Sequence, residues 1–349
     1  MVEKRVLVIE TVLGPVPAEN LGPTSFHDHL LSDAATLRRD GAVPRPDSDR
    51  VGPETRGYLH TNMLALADNL RLDDPDLAVN ELEAAVAAGQ RAVVDPTSWG
   101  LGPNHAGLPD IARRTGMTIV RGYGDYVIRT LPAERLDLGE DGWERDFLGA
   151  LRDRVPGADY RAGMLGILGT TGDLPPVERA LLRAAARASA RMGASVSVRL
   201  DPDRVRGIEV LEIFAAEGLS ADRVVFTNAD EYPDAAVWDE LVGAGAVLEM
   251  CFGTEDSHGD RVVNMTDADR LDYFVAFCAT HPGSRHVLGQ SVWTKTQLSA
   301  YGGRGYGHLF GEIVPALRAA GMAAERIDAM LVDEPRRLLD RPAGDRLRR

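Results

Sequence analysis

A chain of 349 residues, 44% hydrophobic and 26% charged, is long enough to bury a large core and is neither disordered nor fibrous in composition. Its net charge of −14 argues against a broad nucleic-acid or anionic-membrane surface, because phosphates would be repelled; the cluster Arg346, Arg348 and Arg349 reads as a solvated tail. Two cysteines, Cys251 and Cys278, exclude a disulfide framework and a cysteine-rich zinc module and suit a reducing cytoplasm.

The opening MVEKRVLVIETVLGPV has too short an apolar run for a signal peptide, and no stretch approaches the roughly 20 apolar residues that span a bilayer. A soluble, unprocessed, cytoplasmic protein is expected. Abundant Arg and Ala with little Lys fits a high-GC bacterial coding bias.

Short β-branched runs then alternate with amphipathic helices. The strand candidates are TSFHDH, RAVVDP, MTIVRGYG, GMLGIL, SVSVRL, RVVFTNA, AVLEMC and HVLGQS. After the first, residues 31 to about 75 are rich in Pro, Gly, Asp and Arg and read as an extended first βα loop, partly helical around 61–70, over the active-site mouth. DDPDLAVNELEAAVAAG offers Asp74 as N-cap, Pro75 in the first turn and Gly89 as stop, with Ala78, Leu82, Ala85 and Val86 on one face. PPVERALLRAAARASARMG repeats that logic and closes at Gly193, and TDADRLDYFVAFCATHP puts Cys278 on an apolar face as a core residue. Strands alternating with helices, without a Gly-rich dinucleotide fingerprint, favour a single (β/α)8 TIM-barrel domain over 1–349.

Catalytic groups in such barrels sit at the C-terminal strand ends. Alternation points His27 and His29 the same way and Asp28 to the other face. The later strand ends offer Gly166 and Leu168, Arg199, Asn228 followed by Asp230, Glu249 and Cys251, and Ser291 followed by Trp293.

These motifs carry a resemblance. LGPTSFHDHL, VVDPTSWGLGPN, RRTGMTIVRGYGDYV, LLRAAARASARMGASVSV, EGLSADRVV and the tail YGGRGYGHLFGEIVPALRAAGMAAERIDAMLVDEPRRLL are similar to the phosphotriesterase family of the amidohydrolase superfamily, which includes related lactonases. The resemblance runs nearly end to end and implies the barrel fold. It also implies two divalent metals, held by His-x-His on strand one, a carboxylated Lys on strand four, a His on each of strands five and six, and an Asp on strand eight. His27 and His29 match the first element. The remaining positions fall on Gly166, Arg199, Asn228 and Ser291, so no binuclear site is expected; a single metal on His27, His29 and a substitute such as Glu249 is the alternative.

Arg199 is expected to bind a carboxylate, phosphate or oxyanion, or else to pair with Glu249 across the mouth. His27 and His29 are candidates for acid–base work, against a reading as packed relics of the metal site. Ser291 is expected close to them, as a dyad nucleophile or as a small polar filler, and Cys251 as a nucleophile or a buried inert thiol. Tyr126, matched by the resemblance to a position near substrate, and Trp293 with Trp99 are candidate substrate walls or packing residues, with Glu249 and Cys251 also candidate substrate contacts. Asp230 and Glu231 fall where the family carries acids that assist proton relay. TEDSHGD, with His258, reads as a solvated polar loop, and His308 as structural.

The expected function is a phosphotriesterase-family enzyme acting on a small polar, anionic substrate without cofactor, by hydrolysis of an ester, lactone or amide, or by elimination, isomerisation or cyclisation. The alternatives are a mononuclear metal-dependent hydrolase and an inactive binding or scaffold barrel. No nucleic-acid or membrane partner is expected, and relatives suggest a homodimer.

Overall fold

The computed structural model describes residues 7–259 and 261–342, so the opening hexapeptide, Asp260 and the terminal arginine cluster lie outside the described residues. Eight parallel strands form the barrel: β1 (Thr24–Ser25), β2 (Ala92–Asp95), β3 (Thr118–Tyr123), β4 (Met164–Gly169), β5 (Val196–Arg199), β6 (Val224–Thr227), β7 (Val247–Cys251) and β8 (His286–Gly289). Each pairs with the next in sequence order. The β8–β1 seam is closed by single bonds: Phe26 N donates to Leu288 O (2.8 Å), Ser291 N to His27 O (2.8 Å) and His29 N to Val292 O (2.9 Å).

Period-two alternation decides what faces the pore. Ala92, Val94, Val120, Met164, Val225, Val247 and Val287 pack with Ile9, Leu338 and Leu339 in one cluster inside the barrel. The intervening Val93, Ile119, Leu165, Val198, Phe226, Leu248 and Leu288 pack in a second cluster with the surrounding helices. Ile9 belongs to an N-terminal hairpin, Leu7–Thr11 with Gly14–Pro17, which the strand count from sequence did not include. The hairpin contributes to the barrel's apolar interior.

The helix punctuation holds. Asp74 Oδ1 accepts from Asp76 N (2.9 Å) and Leu77 N (3.2 Å) at the start of Pro75–Ala87, and Pro176–Met192 ends at Gly193, whose φ of 64° is the left-handed cap.

The first loop differs from expectation. Its α-helix is Pro53–Thr61, with a 3-10 turn at Ala67–Leu70, and Ser32–Asp33 pairs antiparallel with Arg71–Leu72 to tie off its base. The run TEDSHGD is not simply solvated either. His258 is buried, with Nδ1 accepting from Leu64 N (3.2 Å) and Nε2 donating to Asp40 O (3.2 Å). Asp256 accepts both from Arg56 Nη1 (3.0 Å) and from His60 Nδ1 (2.9 Å). The long first loop needs a partner to order its backbone, and the seventh loop supplies it. Among the described residues no helix is long and apolar enough to cross a membrane.

Candidate active site

A cavity of about 240 Å³ opens at the C-terminal face of the barrel. Of the residues singled out in the sequence, His27, His29, Tyr126, Arg199, Asn228, Asp230, Glu231, Cys251, Ser291 and Trp293 line it. Glu249, expected as a substrate contact, does not. Following Val247 by two residues it points into the pore, but it is buried behind His27, with Oε2 3.0 Å from His27 Nδ1. Trp99 also lies off the cavity, its Nε1 donating to Tyr123 OH (3.0 Å) and its ring under Arg135.

His27 fits its place because β8 carries Gly289 opposite; a Cβ there would come within 2.9 Å of His27 Cβ. Asp28 turns away as expected and ties β1 to the segment after β8, accepting from Ser25 Oγ (2.6 Å) and Val292 N (3.2 Å). Burial pushes its carboxyl up to about 7 against those donors.

The histidine pair sits within one continuous hydrogen-bond chain, and the chain fixes its protons. Arg121 Nη1 donates to Asp95 Oδ1 (2.6 Å), as does Thr97 Oγ1 (2.5 Å). With its proton so committed, Thr97 Oγ1 accepts from His29 Nδ1 (2.9 Å). Burial, aided by the charges of His27 and Arg121, holds His29 well below the usual imidazole range, so it is neutral and its Nε2 is an acceptor. His27 Nε2, 3.1 Å away, is therefore the donor. His27 Nδ1 faces two acceptors, Glu249 Oε2 and, at 3.2 Å, Thr227 Oγ1, whose own proton goes to Asn228 Oδ1 (2.8 Å). His27 thus carries both protons. Burial opposes that charge, but Glu249, with Asp28 and Glu231 beyond it, raises the imidazole's pKa. One proton lies between the two Nε2 atoms.

The opposite side of the floor is built differently. Arg199 pairs with Glu231 at 2.5 Å, not with Glu249. Burial raises the Glu231 carboxyl while Arg199 opposes that rise, and Tyr126 is likewise raised by burial beside the same guanidinium. Asp230 is held by Arg270 Nε (3.0 Å) and by Cys251 N (3.1 Å). Burial, then the nearby Glu249 and Asp230 charges, pushes the Cys251 thiol well up, which makes it a poor nucleophile. Asn228 and Ser291 both adopt left-handed backbone, with φ of 53° and 49°. Ser291 faces the cavity, but no hydrogen bond joins its hydroxyl to either imidazole among the described residues, so the two are neighbours without being a formed dyad.

On strand four the sequence placement was off by one. Alternation from Met164 predicts Gly166 in the cavity, yet Ile167 lines it. The β4–β5 register shifts between Leu165 and Leu168, and Gly166, at φ 115°, lies so close to Ser197 that a Cβ would meet its Oγ at 2.2 Å. A bulge inserts one residue and re-aims the side chain that follows. Sequence reasoning also missed the Thr97–Asp95–Arg121 support; a Thr two residues after a strand-terminal Asp, in VVDPT, was the available signal.

A family model described as the phosphotriesterase family matches residues 7–339. An N-acetyltaurine hydrolase of Danio rerio is 26% identical over 346 residues, covering 95% of this chain and 97% of that one. The crystal structure of a resiniferatoxin-binding protein from Rhodobacter sphaeroides is 29% identical, with a TM-score of 0.90 over 95% of this chain and 94% of that one. The lactonase Lmo2620 from Listeria monocytogenes, 18% identical, shares the fold with a TM-score of 0.77 over 95% of this chain and 98% of that one. The chain belongs to the phosphotriesterase family and is a hydrolase of that family's barrel type.

Proposed function

We propose that this hydrolase cleaves a small anionic amide, ester or lactone by acid–base chemistry at the His27–His29 pair, without a binuclear metal centre. One observation carries the reading: the two Nε2 atoms lie 3.1 Å apart on the cavity floor, and the partners on their Nδ1 atoms assign one proton to the space between them. The positions that would complete a two-metal site are filled by Ile167, Arg199, Asn228 and Ser291. An alkyl group and a permanent cation cannot ligate, and Asn228 already accepts from Thr227 through Oδ1, so this donor set does not fit two divalent ions.

In the proposed reaction, water attacks the substrate carbonyl. His27 Nε2 gives its proton to the departing nitrogen or oxygen, and the pair regains one from the attacking water, so it ends as it began. Glu249 holds His27 protonated, and Thr97 fixes the His29 tautomer. Asn228, its Oδ1 occupied, has its NH2 left to donate to the developing oxyanion, with the Ser291 hydroxyl as a second donor. The Danio rerio relative is named for an amide that bears a sulfonate, which supports an anionic acyl amide as substrate.

A second reading has its own support. Both imidazoles hold a partner on Nδ1 and converge on Nε2, as metal-ligating histidines do, and 3.1 Å is near the edge of a tetrahedral site with bonds of about 2.0–2.1 Å. A single divalent ion on His27 and His29 would draw a third ligand from Cys251 or Ser291, and Glu249 and Cys251 place ligand atoms within 4.8 Å of a ring nitrogen of His27.

The test of the hydrolase reading is release of the free amine from N-acetyltaurine and of hydroxy acid from a lactone series. Turnover that disappears in His27→Asn while the fold is retained is the expected result. A folded wild-type chain that turns over no amide, ester or lactone overturns the reading.

A further inference from the structure

The sequence assigns anion binding to Arg199, but Glu231 already neutralises that guanidinium. Arg270, below it, is spent on Asp230 and Asp267. The cationic groups that remain in the cavity lie at its rim: Arg39 on the first loop, Arg129 after β3 and Arg261 after β7. All three are exposed, and among the described residues no carboxylate forms an ion pair with any of them. Two acids share the rim, Asp201 and Asp203, both on the loop after β5. The Asp201 carboxylate is occupied, accepting from Gly172 N (3.1 Å) and Asp203 N (3.0 Å).

We infer that Arg39, Arg129 and Arg261 form a subsite for the anionic end of the substrate, remote from the bond cleaved at the histidine pair. Other exposed arginines also lack an ion pair among the described residues, Arg113, Arg145 and Arg318 among them, but Arg39, Arg129 and Arg261 are set apart by lining one cavity from three loops. Between rim and floor the wall is apolar, with Met63, Leu64, Leu101, Ile167 and Trp293. The cavity therefore fits a ligand with a polar scissile group at one end, a short apolar spacer, and a carboxylate, sulfonate or phosphonate at the other. Planar guanidiniums bind all three through paired N–H donors. In a chain of net charge −14, a local cationic rim is also what lets a small anion approach against the overall field.

This inference deepens the hydrolase reading and is tested by binding, so the two can fail separately. The probes are N-acetyltaurine and N-ethylacetamide, which share the amide and differ in the sulfonate. Their affinities are measured by ligand-observed NMR on wild type, on R39Q, R129Q and R261Q, and on the triple variant, at low and high salt. Wild type should prefer the sulfonate, each single variant should weaken it by about 3–10-fold, and the triple variant should lose the preference without weakening the neutral amide. The preference should also shrink with added salt. Sulfonate binding that is absent in wild type, or that survives intact in the triple variant, overturns the subsite. Loss of the preference without any turnover in wild type would instead retain the subsite and overturn the hydrolase reading.

Discussion

The two sides of the cavity floor solve the same problem, charge inside a barrel, in opposite ways. On the β1, β2, β7 and β8 side, a hydrogen-bond chain from Glu249 through His27 and His29 to Thr97, Asp95 and Arg121 brings two imidazole Nε2 atoms together at the lumen, with Ser291 beside them. On the β4, β5 and β6 side, Arg199 is closed against Glu231 and Asp230 against Arg270, with Ile167 and Asn228 beside them. The first arrangement is poised to exchange a proton. The second holds fixed charge and shape. Chemistry in this barrel is therefore expected to reside on the histidine side, with the other side supplying orientation and oxyanion donors.

The largest effect that sharpens this contrast is on catalysis. His27→Asn or His29→Asn should lower kcat by about 10²–10⁴-fold in a chain that keeps its far-UV circular dichroism. Glu249→Gln should cost less, but it removes the charge that raises His27, so the alkaline limb of the pH–rate profile should move to lower pH. An unmoved limb would mean that His27 is not the acid.

Next in size is the fixed side. Arg199→Met leaves the half-buried Glu231 unpaired and should cost about 1–2 kcal/mol in chemical denaturation, most of it regained in the double variant with Glu231→Gln. Equal losses in the single and double variants would show that the pair does not behave as a closed unit.

Acidification separates the two histidines by sign. His29 is held well below 6.5, and His105 and His286 are held at about 2 and about 3, in each case chiefly by burial. The unfolded chain takes up these protons below pH 6.5 and the folded one does not, so each such group costs about 2 kcal/mol of stability by pH 5. His27, whose folded pKa is raised, contributes in the opposite sense: its stabilisation is complete below 6.5 and is lost as pH rises through the folded value. Asp28, at about 7, also favours the folded state in acid, its contribution being lost between about pH 4 and 7. The buried carboxyls Asp125, Glu178, Asp230 and Glu231 are raised as well and act in the same sense as Asp28, so the three depressed histidines work against them between pH 7 and 5, and His286→Phe should raise the denaturation midpoint more at pH 5 than at pH 7.

The smallest effect concerns the loop clamp. Asp256→Asn weakens its contacts with Arg56 and His60 and should cost about 1 kcal/mol, with faster amide exchange across Pro53–Thr61 and little change in the barrel strands.

Much of the barrel was legible because alternation and helix punctuation are local properties. The cavity-facing positions His27, His29, Arg199, Asn228 and Ser291 follow from them. Backbone irregularity breaks the pattern: alternation puts Gly166 in the cavity, and nothing in GMLGIL announces the bulge that brings Ile167 there. Partner choice was also hidden. Glu249 and Glu231 are both acids near the mouth, and only the three-dimensional arrangement assigns the first to His27 and the second to Arg199. The rim arginines were not singled out because each lies on a loop, and no sequence spacing links Arg39, Arg129 and Arg261.

The central claim is that the proton shared by His27 and His29, and no metal ion, performs the chemistry. Elemental analysis of the purified chain beside its activity before and after chelation tests this most directly. The account predicts divalent metal well below one equivalent per chain and turnover unchanged by the chelator. One or more tightly held equivalents, with activity lost on removal and restored by adding the ion back, would contradict it.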